Sequence, residues 1–203
     1  MLSYRHAFHA GNHADVIKHL ALTATLHYAT RKDSPLFFLD THAGAGLYKL
    51  QSEQSLQTGE AREGILKLDF DVLNAQLTDE HKPCLQQFQL AVSPFLKRGH
   101  YPGSPLLAAS LLRAQDHLHL CELHPVDFEL LAHHTNRDSR ISCEQADGYQ
   151  RALALLPPVQ KRAVVLIDPS YEMKDDYRKV VNLVADMIHR MRGAQILLLS
   201  LIH

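Results

Sequence analysis

The 203-residue sequence predicts an α/β fold, a mostly parallel β-sheet covered by helices on both faces, and three observations predict it. Short apolar runs alternate along the chain with segments of helical period, the pattern that builds strand-helix-strand units. Three of the runs, "FFLD", "HLHLCE" and "VVLID", end in an acid: Asp40, Glu122 and Asp168. A fourth is followed by Asp147-Gly148. Ligands of such sheets bind beyond the carboxyl ends of the strands, so these polar groups are expected to converge on one edge.

Each element has its own signal. From Asn12, a good N-cap, "HADVIKHLALTATLHYAT" reads as a helix with Val16, Ile17, Leu20, Ala24 and Leu26 near one side. "PLFFLD" is the first strand and "THAGAGLY" a glycine-bearing loop. Residues 51–100 turn polar and Gln-rich, with "REGILKLDFDVLNAQL" and "KPCLQQFQLAVSPFLKR" expected as two helices of a small insertion between core segments 1–50 and 101–203. "YPGSP" holds a turn at Pro102-Gly103, "LLAASLLRAQ" is a helix, and "HLHLCELHP" alternates like a strand. Helix "PVDFELLAHHT", strand "RISCEQADG", helix "YQRALALL" and strand "RAVVLIDPSY" repeat the unit. The last helix, "DDYRKVVNLVADMIHRMRG", carries Tyr177, Val180, Val181, Val184, Met187, Ile188 and Met191 at spacings of three and four and stops at Gly193. "AQILLLSLI" is a fifth strand.

Composition narrows the function. With 46% hydrophobic and 21% charged residues the chain is ordinary globular protein, which excludes disorder. A net charge of -1 gives no general attraction to polyanions, so any nucleic-acid contact falls to the local clusters Arg31-Lys32, Lys97-Arg98-His100 and Lys161-Arg162. Such clusters are ordinarily solvated surface. Cys84, Cys121 and Cys143 form no CxxC pair, which excludes a zinc ribbon and a disulfide framework and suggests a reducing cytoplasm. The first ten residues lack an apolar signal segment, and no run reaches the ~18 apolar residues of a membrane span, so a soluble, unexported protein is expected.

Histidines crowd the N-terminus. His6, His9 and His13 have helical spacing, but Gly11-Asn12 lies between them and the helix starts only afterwards, so no metal is expected. Packing or hydrogen bonding accounts for these imidazoles equally well. In "DTHAGAGLY", Gly44 and Gly46 would let backbone approach a ligand, although the third glycine of a dinucleotide fingerprint is missing and a simple tight turn would also explain the pair. Glu122 suits a pair of ribose hydroxyls, the role an acid takes after the second strand of nucleoside-binding sheets.

"LIDPSYE" is the most informative stretch. Asp168 closes a buried strand, Pro169 fixes the backbone, and Tyr171 offers an aromatic plane that could stack on a base. The string resembles the D-P-P-Y motif of methyltransferases acting on exocyclic amines, with Ser170 in place of the second proline. An exocyclic amine has its lone pair delocalised into the ring, so a carboxylate and a backbone carbonyl accepting its hydrogens favour a more nucleophilic nitrogen.

Taken in order, "YRHAFHAGNHADVIKH", "LDTHAGAG", "YPGSP", "ELHP", "ADG" and "LIDPSYEMK" resemble the bacterial 23S ribosomal RNA adenine-N6 methyltransferase J family, from residue 1 to about 180. The resemblance implies a Rossmann-like S-adenosylmethionine-dependent methyltransferase sheet with a small helical insertion, acting on an adenine of 23S rRNA; a cytoplasmic monomer is expected. It carries cofactor contacts onto His19, His42, Ser104, Glu122, Asp147, Gly148 and Asp168, which Gly44 joins from the glycine loop. Asp168, Pro169, Tyr171 and Lys18 become catalytic candidates, and Tyr4 a contact to substrate RNA. Family members continue through further strands, so the C-terminal strands are expected to be missing here. The alternative reading is therefore a truncated or impaired fragment that binds cofactor or RNA without transferring.

Overall fold

A computed structural model describes residues 9–52, 59–171 and 174–200. In chain order the elements are α1 (His13–Ala29), β1 (Phe37–Asp40), β2 (Leu47–Lys49), α2 (Glu60–Glu63), α3 (Phe70–Gln76), α4 (Lys82–Leu96), β3 (His100–Pro102), α5 (Ser104–Leu111), β4 (His117–Cys121), α6 (Pro125–Thr135), β5 (Ile141–Glu144), α7 (Gly148–Leu155), β6 (Ala163–Ile167), α8 (Lys174–Arg190) and β7 (Gln195–Leu198). They divide into two compact units. Tyr4 and His6 lie outside the described residues.

The first unit, Ala29–Gly46 with the chain from Leu112 onward, contains a five-stranded sheet in the order β5-β4-β1-β6-β7. Every pairing in it is parallel, as the alternation of strand and helix predicts. Counted along the chain within this sheet the order is 3-2-1-4-5, the Rossmann-like arrangement, whose direction of winding reverses beside β1. Asp40 stands opposite Leu120 of β4 and Leu166 of β6, so the acids after these strands leave the sheet at one edge.

Burial on both faces explains the unbroken apolar runs. One face buries Phe37, Leu39, Cys121, Val165 and Ile167 with Ala152 and Leu156 at α7 and with Val180, Leu183 and Met187 of α8. On the alternate positions Phe38, Leu118, Leu120, Val164 and Leu166 are fully buried as well. Removing any one of these leucines is expected to cost about 2–5 kcal/mol, since the lost transfer energy adds to that of the cavity.

The second unit takes the described part of Arg5–Tyr28 together with Leu47–Leu111. Asn12 caps α1 through its Oδ1, which accepts from the Asp15 N–H at 2.9 Å, while the Asp15 carboxylate accepts from the Gly11 N–H at 2.9 Å. The segment 62–77, expected as one helix, is three pieces: the end of α2, a 3-10 turn at Ile65–Lys67, and α3. Gly64 breaks it because a Cβ there would overlap the Gly11 carbonyl, and the Ile65 N–H donates to that same oxygen at 2.8 Å. Asp69 then starts α3 by accepting from Asp71 and Val72, both at 3.1 Å.

Pro102, expected in a turn, is instead the last residue of β3, which pairs antiparallel with β2. Three-residue strands carry too little alternation to be read from sequence. The pairing, and the hydrogen bond between His19 of α1 and Tyr101 of β3, tie α1 and residues 101–111 to the helical segment within this unit. Among the described residues no helix is long and apolar enough to cross a membrane.

Candidate functional site

In the first unit the polar edge is organised by the loop that follows β1. Asp40 is fully buried, and its Oδ1 accepts from the His42 N–H at 3.1 Å. Thr41 continues the pairing with β6: its N–H and its hydroxyl both donate to the Leu166 carbonyl, at 3.1 and 2.9 Å. Gly44 and Gly46 adopt φ of +61° and +76°, the left-handed region where a side chain is strained. The loop is pinned from two further places. The Gly44 N–H donates to Glu122 Oε2 at 2.8 Å, and His134 Nδ1 of α6 donates to the Ala45 carbonyl at 2.8 Å.

Glu122 directly follows β4. Its second oxygen, Oε1, accepts from the His124 N–H at 2.7 Å. Burial pushes this carboxyl above its usual range, and the two backbone N–H donors work against that shift. Each oxygen keeps a further lone pair, so the carboxylate can still accept from a pair of hydroxyls.

Asp147 caps α7, accepting from the Tyr149 N–H at 2.8 Å. Gly148 follows, and a Cβ there would overlap the carbonyl of Thr41, so its lack of a side chain lets α7 begin directly against the β1 loop. Tyr149, which the sequence did not single out, meets His42 edge-on with ring centroids 4.9 Å apart. Its phenol oxygen is buried without a hydrogen-bond partner among the described residues. Burial raises the Tyr149 hydroxyl, and Asp176, Tyr171 and Asp147 push the same way. Burial holds the His42 imidazole down at about 4, outweighing the pull of Asp147, so the ring is neutral near pH 7.

Beyond β6, Asp168 is half-buried and Pro169 buried. Tyr171 sits at φ +53°, and its hydroxyl donates to the Leu199 carbonyl at 3.1 Å. Its ring lies 4.6 Å from that of Tyr177, so one side of the aromatic plane expected to stack on a base is occupied by α8. Burial raises the Tyr171 hydroxyl, and the Asp168 carboxylate adds to the shift while Ser200 opposes it.

The first unit therefore brings together His42, Gly44, Glu122, Asp147, Gly148, Asp168, Pro169 and Tyr171 at one sheet edge, with Thr41, Tyr149 and His134 as members that no motif announced. Lys18, His19 and Ser104 belong to the second unit. There His19 is buried and its Nδ1 lies 2.8 Å from the fully buried Tyr101 hydroxyl. Lys18 is half-buried on α1, and Ser104 opens α5. His9 pairs with Glu60 at 3.0 Å, and His13 is exposed.

The comparisons agree on kinship. The family model described as "Ribosomal RNA large subunit methyltransferase D, RlmJ" matches residues 33–201. Ribosomal RNA large subunit methyltransferase J of Escherichia coli (strain K12) is 49% identical over 190 residues, covering 92% of this chain and 65% of that protein. Its counterpart of the same name from Haemophilus influenzae is 42% identical over 186 residues, with the same shares covered. The chain thus spans just under two thirds of the length of these relatives. A crystal structure of a protein from Legionella pneumophila str. Philadelphia 1 superposes with a TM-score of 0.78 at 36% identity, over 94% of this chain and 68% of that one.

Proposed function

The chain belongs to the ribosomal RNA large subunit methyltransferase J family, and from that premise we propose that it binds S-adenosylmethionine and methylates the N6 amine of an adenine in 23S ribosomal RNA, in the cytoplasm. The observation that carries this reading is the convergence, beside the reversal point of a parallel sheet, of a doubly anchored Glu122 and a half-buried Asp168 on either side of a glycine loop.

The residues fit such a cofactor. Glu122 is held rigid by Gly44 and His124, with lone pairs left for a ribose diol. Gly44 opens the loop for close approach, Asp147 and Gly148 begin α7 against it, and neutral His42 offers a ring nitrogen. S-adenosylmethionine supplies an activated methyl group when bound. Asp168 and the Pro169 carbonyl accept the hydrogens of the incoming amine, which raises the electron density on nitrogen and gives the released proton a destination. The substrate base must leave its stack to reach such a pocket. Orientation by fixed groups supplies much of the acceleration in a displacement of this type.

Calorimetry with S-adenosylmethionine, paired with transfer of labelled methyl to unmodified 23S rRNA, tests the proposal. Wild-type protein is expected to bind and transfer, and Asp168→Asn to lose roughly 100- to 10,000-fold in transfer rate. Absence of binding overturns the proposal. Binding without transfer in the wild type favours the reading of a cofactor-binding fragment, toward which the departure at Ser170 points.

A further inference from the structure

The contacts of Thr41 determine which proton His42 carries. Thr41 Oγ1 lies 2.9 Å from the Leu166 carbonyl and 2.8 Å from His42 Nδ1. A carbonyl can only accept, so the single hydroxyl proton of Thr41 goes to Leu166, and Oγ1 is left as an acceptor toward the ring. Both contacts are hydrogen bonds only if His42 carries its proton on Nδ1. The assignment is then fixed by satisfaction of partners, as it is wherever one ring nitrogen's bond determines the state of the other.

Thr41 has little room to do anything else. It is 2% exposed, its backbone N–H is committed to β6, and Gly148 packs directly on its carbonyl. The ring of His42 is braced edge-on by Tyr149. Its Nε2 makes no hydrogen bond to any described residue.

We propose that Thr41 is a positioning residue that locks His42 in the Nδ1–H tautomer and thereby makes Nε2 a hydrogen-bond acceptor, selecting an N–H or O–H donor of the bound cofactor and rejecting an acceptor such as its carboxylate. The proposal rests on the reading that S-adenosylmethionine occupies this sheet edge. A histidine free in water favours the opposite, Nε2–H form, so without Thr41 the ring would present a proton where an acceptor is needed. Neither the D-P-P-Y-like motif nor the glycine loop discloses this role, because it depends on β1 and β6 lying side by side.

Long-range nitrogen-proton NMR on histidine-labelled protein reads the tautomer without any ligand. The wild type is expected to show His42 protonated on Nδ1 near pH 7. Thr41→Ser keeps the hydroxyl and is expected to keep the tautomer, while Thr41→Val moves the population toward Nε2–H. Calorimetry with S-adenosylmethionine is expected to show affinity reduced roughly 3- to 10-fold by Thr41→Val, the worth of one ordinary hydrogen bond, and largely retained by Thr41→Ser. A wild-type ring protonated on Nε2 overturns the proposal whether or not either variant folds. So does a Thr41→Val protein whose tautomer is unchanged. If the tautomer responds to Thr41 but neither Thr41→Val nor His42→Ala alters binding of the cofactor, the lock stands and the contact between His42 and the cofactor falls.

Discussion

Gly148, the first residue of α7, packs so closely on Thr41 that a Cβ at position 148 would overlap the Thr41 carbonyl oxygen. The obstacle is backbone already committed to β6, so it cannot move aside as the end of a flexible side chain could. Gly148→Ala is therefore expected to destabilise the protein by about 1–3 kcal/mol, toward the upper end, in spite of alanine's better helix propensity. A urea midpoint equal to or above that of the wild type would refute this.

Glu122 uses each of its oxygens for a different backbone N–H. In Glu122→Gln one of these faces is an amide that donates, so one N–H loses its acceptor, and the expected cost is about 1–3 kcal/mol. S-adenosylmethionine binding is expected to weaken at least about tenfold, because the acceptor pair presented to a diol is lost along with the charge. Titration calorimetry and urea unfolding of the same preparation measure the two effects separately.

His42 gives the first unit an acid sensitivity of definite sign. Burial holds the folded imidazole at about 4 against 6.5 for an unperturbed side chain. A depressed value means that the stability this ring contributes is complete above about pH 6.5 and is lost as pH falls from there through about 4. The ring is half-buried by area although protein surrounds it closely, so about 3 kcal/mol is an upper bound for the loss. Glu122, raised by burial, acts in the opposite direction at low pH, so the comparison to make is wild type against His42→Gln. The gap between their unfolding midpoints is expected to narrow from pH 7 to pH 4; a constant gap would count against the assignment.

Tyr101 is the largest fully buried side chain among the described residues of the second unit, and its hydroxyl meets His19 at 2.8 Å with the two rings stacked at 5.3 Å. Burial raises this phenol well above its usual range, and Asp15 pushes it further in the same direction, so it stays protonated throughout the neutral range. Tyr101→Phe preserves the packing and removes the bond, leaving His19 buried with one partner fewer. A loss of about 1–2 kcal/mol in thermal or urea unfolding is expected, and an unchanged midpoint would mean that the bond contributes nothing net.

Long periodic elements were legible because their apolar positions recur often enough to fix both type and extent. All five strands of the sheet, and helices α1, α4 and α6, lie within the segments that alternation and helical spacing mark out, and α8 starts one residue before its own. The acids Asp40, Glu122 and Asp168 were legible for the same reason, since each sits where an apolar run stops. The hairpin of β2 and β3 and the break at Gly64 were not. Three-residue strands show no period, and Gly64 is required by Gly11 and Asn12, more than fifty residues away.

The sequence by itself determined the α/β class, the family resemblance and the identity of the acids at the strand ends, because these follow from local periodicity and short motifs. Only the tertiary structure decided what holds those groups in place. The strand order seats β1 between β4 and β6. Glu122 is anchored by Gly44, seventy-eight positions away, and Thr41 reaches Leu166 across one hundred and twenty-five. Hydrogen bonds of that span leave no spacing to read along the chain, because each depends on two distant segments packing at one register.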